Sequence, residues 1–197
     1  FDWYQDTPQT QPRAMVGYSP IRKVYLTEPL ADTPQKALFN EELILGKRID
    51  REIEWISSEE AAGNLLGVQG CAWSEFIDDC QHLEYMVFPR LLAVAELGWT
   101  PSHLRDWDSF KRRMNAHVVS LRSMGLNCYP LSDRIDISSV ASSGSALVSL
   151  ECEKYPSEIR YTTDGSTPCS SSPLYEKPFE VTEPVLVKAS RFESGTP

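Results

Sequence analysis

Trp73-Ser74-Glu75 is the tripeptide whose residue types could act on a neutral, hydroxyl-rich ligand. An indole can stack on the apolar face of a pyranose, and a carboxylate two residues on can accept hydrogen bonds from its hydroxyls. The tripeptide closes the run Leu65-Leu-Gly-Val-Gln-Gly-Cys-Ala-Trp73, which suits a strand buried on both faces, as in a parallel sheet. Gly67 and Gly70 leave room for a close neighbour or a ligand. In a (β/α)8 barrel, ligands bind at the C-terminal ends of the strands, where Trp73 and Glu75 would stand. On residue type alone core packing is the stronger reading of Trp73, because tryptophan is more often core than ligand.

Other reactive groups point to less. Glu75, Asp78 and Asp79 form an acidic cluster, but Asp78 and Asp79 read more simply as an exposed loop after the strand. His82, His103 and His117 share no metal-ligand spacing, and no metal site is expected. Five cysteines lack a CxxC pair, which argues against a zinc or thioredoxin-type site; buried or free thiols are the simpler reading. There is no nucleophile elbow, P-loop or dinucleotide fingerprint, and no cofactor is expected. A net charge of −9 repels phosphates and anionic headgroups, which sets nucleic acid and membrane surfaces aside as partners. No apolar run approaches the ~20 residues of a membrane helix.

The elements that must position Trp73 and Glu75 lie around the apolar run. Residues 1–35 are proline-rich and read mostly as loop, with Lys23-Val-Tyr-Leu26 as a short strand. Short helices are predicted at Gln35–Leu45 and Ser57–Leu66, where Ser57 and Glu60 have the spacing of a capping box. Gln81–Trp99 is helical in character, with a start or kink at Pro89. The clearest helix runs from Trp107 to Met124: Asp106 is its N-cap, Gly125 its C′ residue, and Phe110, Met114, Val118, Leu121 and Met124 share one face. Arg90 and Glu96 could form a structural ion pair.

Beyond about residue 134 the pattern changes. Ser138–Ser145 reads as a linker or turn. Period-two segments follow at Val148–Cys152, Ile159–Thr163 and Val185–Ala189, with turn signals at Asp164-Gly165, Pro168, Pro173 and Pro178. They predict a small antiparallel β-sandwich.

Two stretches resemble known families. Gly67-Val-Gln-Gly-Cys-Ala-Trp-Ser-Glu75, Leu83-Glu-Tyr-Met86, Pro89-Arg-Leu-Leu-Ala-Val-Ala-Glu96 and Trp99 resemble the last barrel strand and following helix of family 20 glycoside hydrolases. Phe1-Asp-Trp-Tyr4, Gly17-Tyr18, Lys23-Val-Tyr25 and Glu28-Pro29 resemble that family's stretch after the seventh strand, with Asp2 as the aspartate of its Tyr-x-Asp. Residues 30–64 are longer than the family pattern. Ile159-Arg-Tyr-Thr-Thr-Asp-Gly-Ser-Thr-Pro168, Ser172-Pro-Leu-Tyr175 and Val185–Phe192 resemble the immunoglobulin-like C-terminal domain of chitobiases and bacterial hexosaminidases.

The resemblance implies an α/β fold: the C-terminal part of a (β/α)8 TIM barrel over residues 1–136, then the sandwich over 137–197. It implies a parent β-N-acetylhexosaminidase that removes terminal N-acetylhexosamine from glycans by substrate-assisted, retaining hydrolysis. Trp73 would wall the sugar pocket, Glu75 would bind its O4 and O6 hydroxyls, and Asp2 would reach another hydroxyl. Trp3 and Tyr4 could contact sugar, though core or loop packing serves equally well. The acid/base Asp-Glu pair and the Tyr would lie upstream of Phe1, so this chain would hold no catalytic residue and be inactive without the rest of the barrel. The family's substrates imply a periplasmic or secreted location. Competing readings are a carbohydrate-binding or inactive homologue, and a sandwich that only braces the barrel.

Overall fold

The computed structural model describes residues 20–30, 33, 35–38, 40, 57–72, 74, 77–142 and 144–193. The chain forms two compact units, Phe1–Pro130 and Leu131–Pro197.

Helices make up the regular structure described in the first unit. They are α1 (Ile21–Tyr25), α2 (Ser58–Asn64), α3 (Cys80–Val87), α4 (Arg90–Trp99), a 3-10 turn at Ser102–Leu104, and α5 (Trp107–Ser123). Residues 35–38 also take a helical turn. The strand expected at Lys23–Leu26 is instead part of α1. Ile21 and Tyr25, one helical turn apart, are the buried residues of that helix, and α1 packs against α4. The i, i+4 burial outweighs the weak local alternation.

Local chemistry sets most helix ends. Ser57 and Glu60 form a reciprocal capping box, with Glu60 N–H donating to Ser57 Oγ at 3.2 Å and Ser57 N–H to Glu60 Oε2 at 3.3 Å. Asp79 caps α3 by accepting from His82 N–H at 2.7 Å, and Asp106 caps α5 by accepting from Ser109 N–H at 2.6 Å. The stretch from Gln81 to Trp99 divides at Pro89, the N-cap of α4. Gly125 closes α5 with φ +89°, and Leu126 N–H donates back to the Leu121 carbonyl at 3.1 Å.

Phe110, Met114 and Val118 are buried on α5 as its periodicity requires, whereas Leu121 is half-buried and Met124 exposed. The face therefore ends a turn earlier than the sequence pattern. Phe110 joins Tyr25 and Trp107 in an aromatic cluster, at 4.9 and 5.8 Å between ring centroids. Burying one such ring contributes about 1.5–3 kcal/mol.

Leu65–Trp73 departs from its expected strand. Residues 65–72 pair with no other described segment, and all but Val68 are exposed, Leu66 fully so. The run is apolar on both faces, and no described strand covers either of them.

The second unit is two antiparallel sheets over one core. The strands are β1 (Asp136–Ser142), β2 (Ser145–Glu151), β3 (Glu158–Thr162), β4 (Phe179–Val181) and β5 (Lys188–Phe192). One sheet has the order β1-β2-β4 and the other pairs β3 with β5. Val148, Leu150, Cys152 and Ile159 form the buried centre, flanked by Tyr161, Tyr175, Phe179 and Val187. Val148 and Leu150 are the alternate residues of β2, so period two does what the sequence pattern indicated.

Ser138–Ser145 is not a linker: it holds most of β1 and the turn into β2. Ser142 pairs with Ser145, so the loop is two residues long and ends at Gly144, φ +85°. β1 is an edge strand exposed along most of its length, which explains why its sequence carries no apolar pattern. Gly165 is required by geometry, with φ +79° and a Leu186 methyl 2.7 Å from where a Cβ would stand. Asp164 accepts from the Ser166 N–H and hydroxyl at 2.9 and 2.6 Å, which holds its carboxyl below the usual carboxylate range.

Candidate functional site

Asp2, Trp73 and Glu75, the sugar-binding residues expected from the sequence, lie outside the described residues, as do Trp3 and Tyr4. The structure does describe the frame on either side of Trp73 and Glu75. Residues 65–72 approach without regular secondary structure, and all but Val68 are exposed. Val68 lies close to α4: its Cγ2 is 3.1 Å from where a Cβ on Gly98 would be. A glycine there lets the helix and this segment approach closely, and a larger residue would push them apart.

On the far side, Ile77 N–H donates to the Ser74 carbonyl at 3.2 Å, shortly before α3. Asp78 and Asp79 are both exposed. The carboxylate of Asp79 is spent on the N-terminus of α3, which gives that member of the acidic cluster a structural role. Asn127 then ties the loop after α5 to α3, its N–H reaching Glu84 Oε2 at 2.8 Å and its amide reaching the Gln81 carbonyl at 2.9 Å.

Arg90 and Glu96 do not pair with each other. Arg90 is fully buried and donates from Nε to the Met86 carbonyl at 2.9 Å, and from Nη2 to the same oxygen. This holds the end of α3 against the start of α4. Glu96 instead receives Arg113 of α5 in a two-pronged pair at 2.6 and 3.0 Å. Met86 stands four residues before Arg90, so this backbone bond was locally available.

A second junction gave no signal in the sequence. The Glu28 carboxylate pairs with Arg105 at 2.6 Å, with both side chains largely buried. The Asn40 side chain grips the backbone of Glu28, accepting from its N–H at 2.9 Å and donating to its carbonyl at 2.7 Å. Three segments far apart in sequence thus meet at Glu28, including the start of the long 30–64 stretch.

Titration separates the thiols. None of the five cysteines is in a disulfide. Burial pushes the Cys128 thiol up. Hydrogen bonds from Ser171 and Ser172 bring exposed Cys169 down to about 7. Burial, then the nearby Glu96 carboxylate, raises Tyr25. Among the described residues no three His, Cys, Asp or Glu side chains converge as metal ligands. Nor is any described helix long and apolar enough to cross a membrane.

Comparison with known proteins bears on both units. The family description "Glycosyl hydrolase family 20, catalytic domain" matches residues 1–102, and "Chitobiase/beta-hexosaminidase C-terminal domain" matches residues 139–197. A beta-hexosaminidase of Porphyromonas gingivalis is 30% identical over 197 residues, covering 98% of this chain and 22% of that protein. A beta-hexosaminidase of Akkermansia muciniphila is 37% identical over 73 residues, 37% of this chain and 15% of that one. A beta-N-acetylhexosaminidase of Cellulomonas fimi is 43% identical over 55 residues, 28% of this chain and 11% of that one. The chain thus spans about a fifth or less of the length of these relatives. The catalytic-domain match takes in the tripeptide Trp73-Ser74-Glu75, α3 and α4, and on that match the chain belongs to glycosyl hydrolase family 20.

Proposed function

We propose that the whole protein is a β-N-acetylhexosaminidase and that this chain supplies its sugar-recognition edge. The carrying observation is the family match over residues 1–102, which includes the Trp73-Ser74-Glu75 tripeptide. In this reading Trp73 walls the pocket for a terminal N-acetylhexosamine, Glu75 takes its O4 and O6 hydroxyls, and Asp2 reaches a further hydroxyl. The run at 65–72 is the last strand of a (β/α)8 barrel, with α3 and α4 as its outer layer. Its exposure on both sides and its close approach to Gly98 support this reading. Residues 1–136 form the barrel part and residues 137–197 an immunoglobulin-like sandwich.

The chemistry follows the substrate-assisted route. The acetamido oxygen of the substrate attacks the anomeric carbon as a carboxylic acid protonates the departing glycosidic oxygen. Water then opens the oxazolinium with net retention. The acid, its partner aspartate and the tyrosine that orients the acetamido group lie outside these 197 residues, so this stretch alone does not turn over substrate. The enzyme works outside the cytoplasm, where glycans with terminal N-acetylglucosamine or N-acetylgalactosamine occur.

Kinetics on the whole protein with an aryl N-acetyl-β-glucosaminide test this. Glu75→Gln is expected to weaken transition-state stabilisation by about 1.5–3 kcal/mol, the value of a charge-assisted hydrogen bond. Trp73→Ala is expected to lower kcat/KM while leaving the fold intact. Wild-type kinetics in both variants would remove the site assignment, and turnover by the 197-residue chain alone would remove the division of labour.

A further inference from the structure

We propose that the small sandwich carries its own binding crevice for a neutral glycan, between β3 and β4. The crevice holds about 390 Å³, inside the ~300–1,000 Å³ range of small-molecule sites. Tyr161 of β3 and Phe179 of β4 line it and stack at 4.4 Å between centroids, with 18° between their planes. The two rings come from different sheets, stack on each other and pack against the sandwich core, and their half-buried outer surface forms an apolar wall that Val185 extends.

The rim is polar. Thr163, Thr182 and Glu183 line the crevice, and all three are exposed. Their side chains make no hydrogen bond or ion pair to another described residue, so their donors and acceptors are available to a ligand. An apolar wall beside exposed hydroxyls and a carboxylate complements a pyranose, which has an apolar face and a hydroxyl-bearing edge.

Other occupants fit less well. No Lys, Arg or His lines the crevice, and its acids repel phosphates and acidic sugars. A calcium ion needs 6–8 oxygen ligands, and no acidic cluster of that kind converges among the described residues. Strand addition along β3 is obstructed, because Tyr161 N–H already donates to the Pro173 carbonyl at 3.2 Å and Tyr175 N–H to the Ile159 carbonyl at 2.8 Å. The crevice belongs wholly to the second unit, so the inference stands apart from the role assigned to Glu75.

Amide NMR on the 197-residue chain, titrated with triacetylchitotriose, tests it. Saturable shifts are expected at Thr162, Thr163, Thr182 and Glu183, with a dissociation constant in the millimolar range. Thr182→Ala combined with Glu183→Gln is expected to weaken binding about tenfold, with the Val148 and Leu150 amides unmoved as evidence of an intact core. Three results would overturn the proposal: no saturable shift in this group at millimolar sugar, binding undiminished in the double variant, or the same shifts from calcium chloride alone. Hexosaminidase turnover by the whole protein is measured separately, so the two readings fail independently.

Discussion

The two units use apolar sequence in opposite ways. In Leu131–Pro197 the alternate apolar residues of β2 meet partners in neighbouring strands, and Leu150 is 3% exposed. In Phe1–Pro130 a run of comparable apolar character, 65–72, has one half-buried side chain and no described strand beside it. Trp99, at the end of α4, is 90% exposed, and Leu104 and Val119 are also in solvent. A period-two strand needs cover on one face, and a nearby hairpin and facing sheet can supply it. A run that is apolar on both faces needs neighbours on both, and the regular elements described in its unit are all helices. Local pattern therefore says how a segment wants to be buried, and only topology says whether the covering residues are at hand.

The sharpest way to break the contrast is to truncate one leucine in each region. Leu150→Ala is expected to destabilise the sandwich by about 2–5 kcal/mol, the cost of a cavity in a packed core. Leu66→Ala is expected to change stability by less than about 0.5 kcal/mol, as at an exposed site. Urea unfolding of the two variants measures both. Equal losses would mean that the two runs are packed alike.

A smaller effect lies in the helical unit. Asp106→Ala removes the N-cap of α5 and is expected to cost about 1 kcal/mol. The loss should appear as faster amide exchange in the first turn of α5 and leave the sandwich amides unchanged. A matching loss in the sandwich would mean that the units unfold as one.

Thiol chemistry gives the mildest test. Alkylation of exposed Cys169 should rise through pH about 7, where its thiol ionises. Cys128, buried and shifted upward, should react only on unfolding. Its sign in stability is also set. The folded thiol stays protonated where the unfolded one ionises, so the helical unit loses stability as pH rises above about 9. Mass-resolved alkylation across pH checks both; early labelling of Cys128 would contradict its burial.

Much of this was legible in the sequence wherever the controlling chemistry is local. The Ser57–Glu60 box, the Asp106 cap, the Gly125 stop and the Pro89 break each depend on a few adjacent residues, and the structure has all four. The core of the sandwich could be read from alternation at Val148, Leu150 and Ile159. What failed had weak or conflicting local signals. β1 is serine-rich and exposed, so its pairing with β2 rests on backbone bonds that leave no apolar trace. Lys23–Leu26 alternates like a strand over too few residues to outweigh helical burial of Ile21 and Tyr25. The Glu28–Arg105 pair joins positions 77 apart and had no pattern to announce it. For the candidate site, the Trp-x-Glu tripeptide could be picked out by type and by resemblance, and the described structure supplies its flanks.

Hydrogen exchange on the monomeric 197-residue chain tests the central proposal most directly, namely that the run leading to Trp73 belongs between strands that the described residues do not supply. The account predicts amides at 65–72 that exchange near the unprotected rate, while those of β2 and β3 are slowed by the stability of the sandwich. Slow exchange throughout 65–72, in a chain shown by sedimentation to be monomeric, would contradict it, because the run would then have found its partners within these 197 residues.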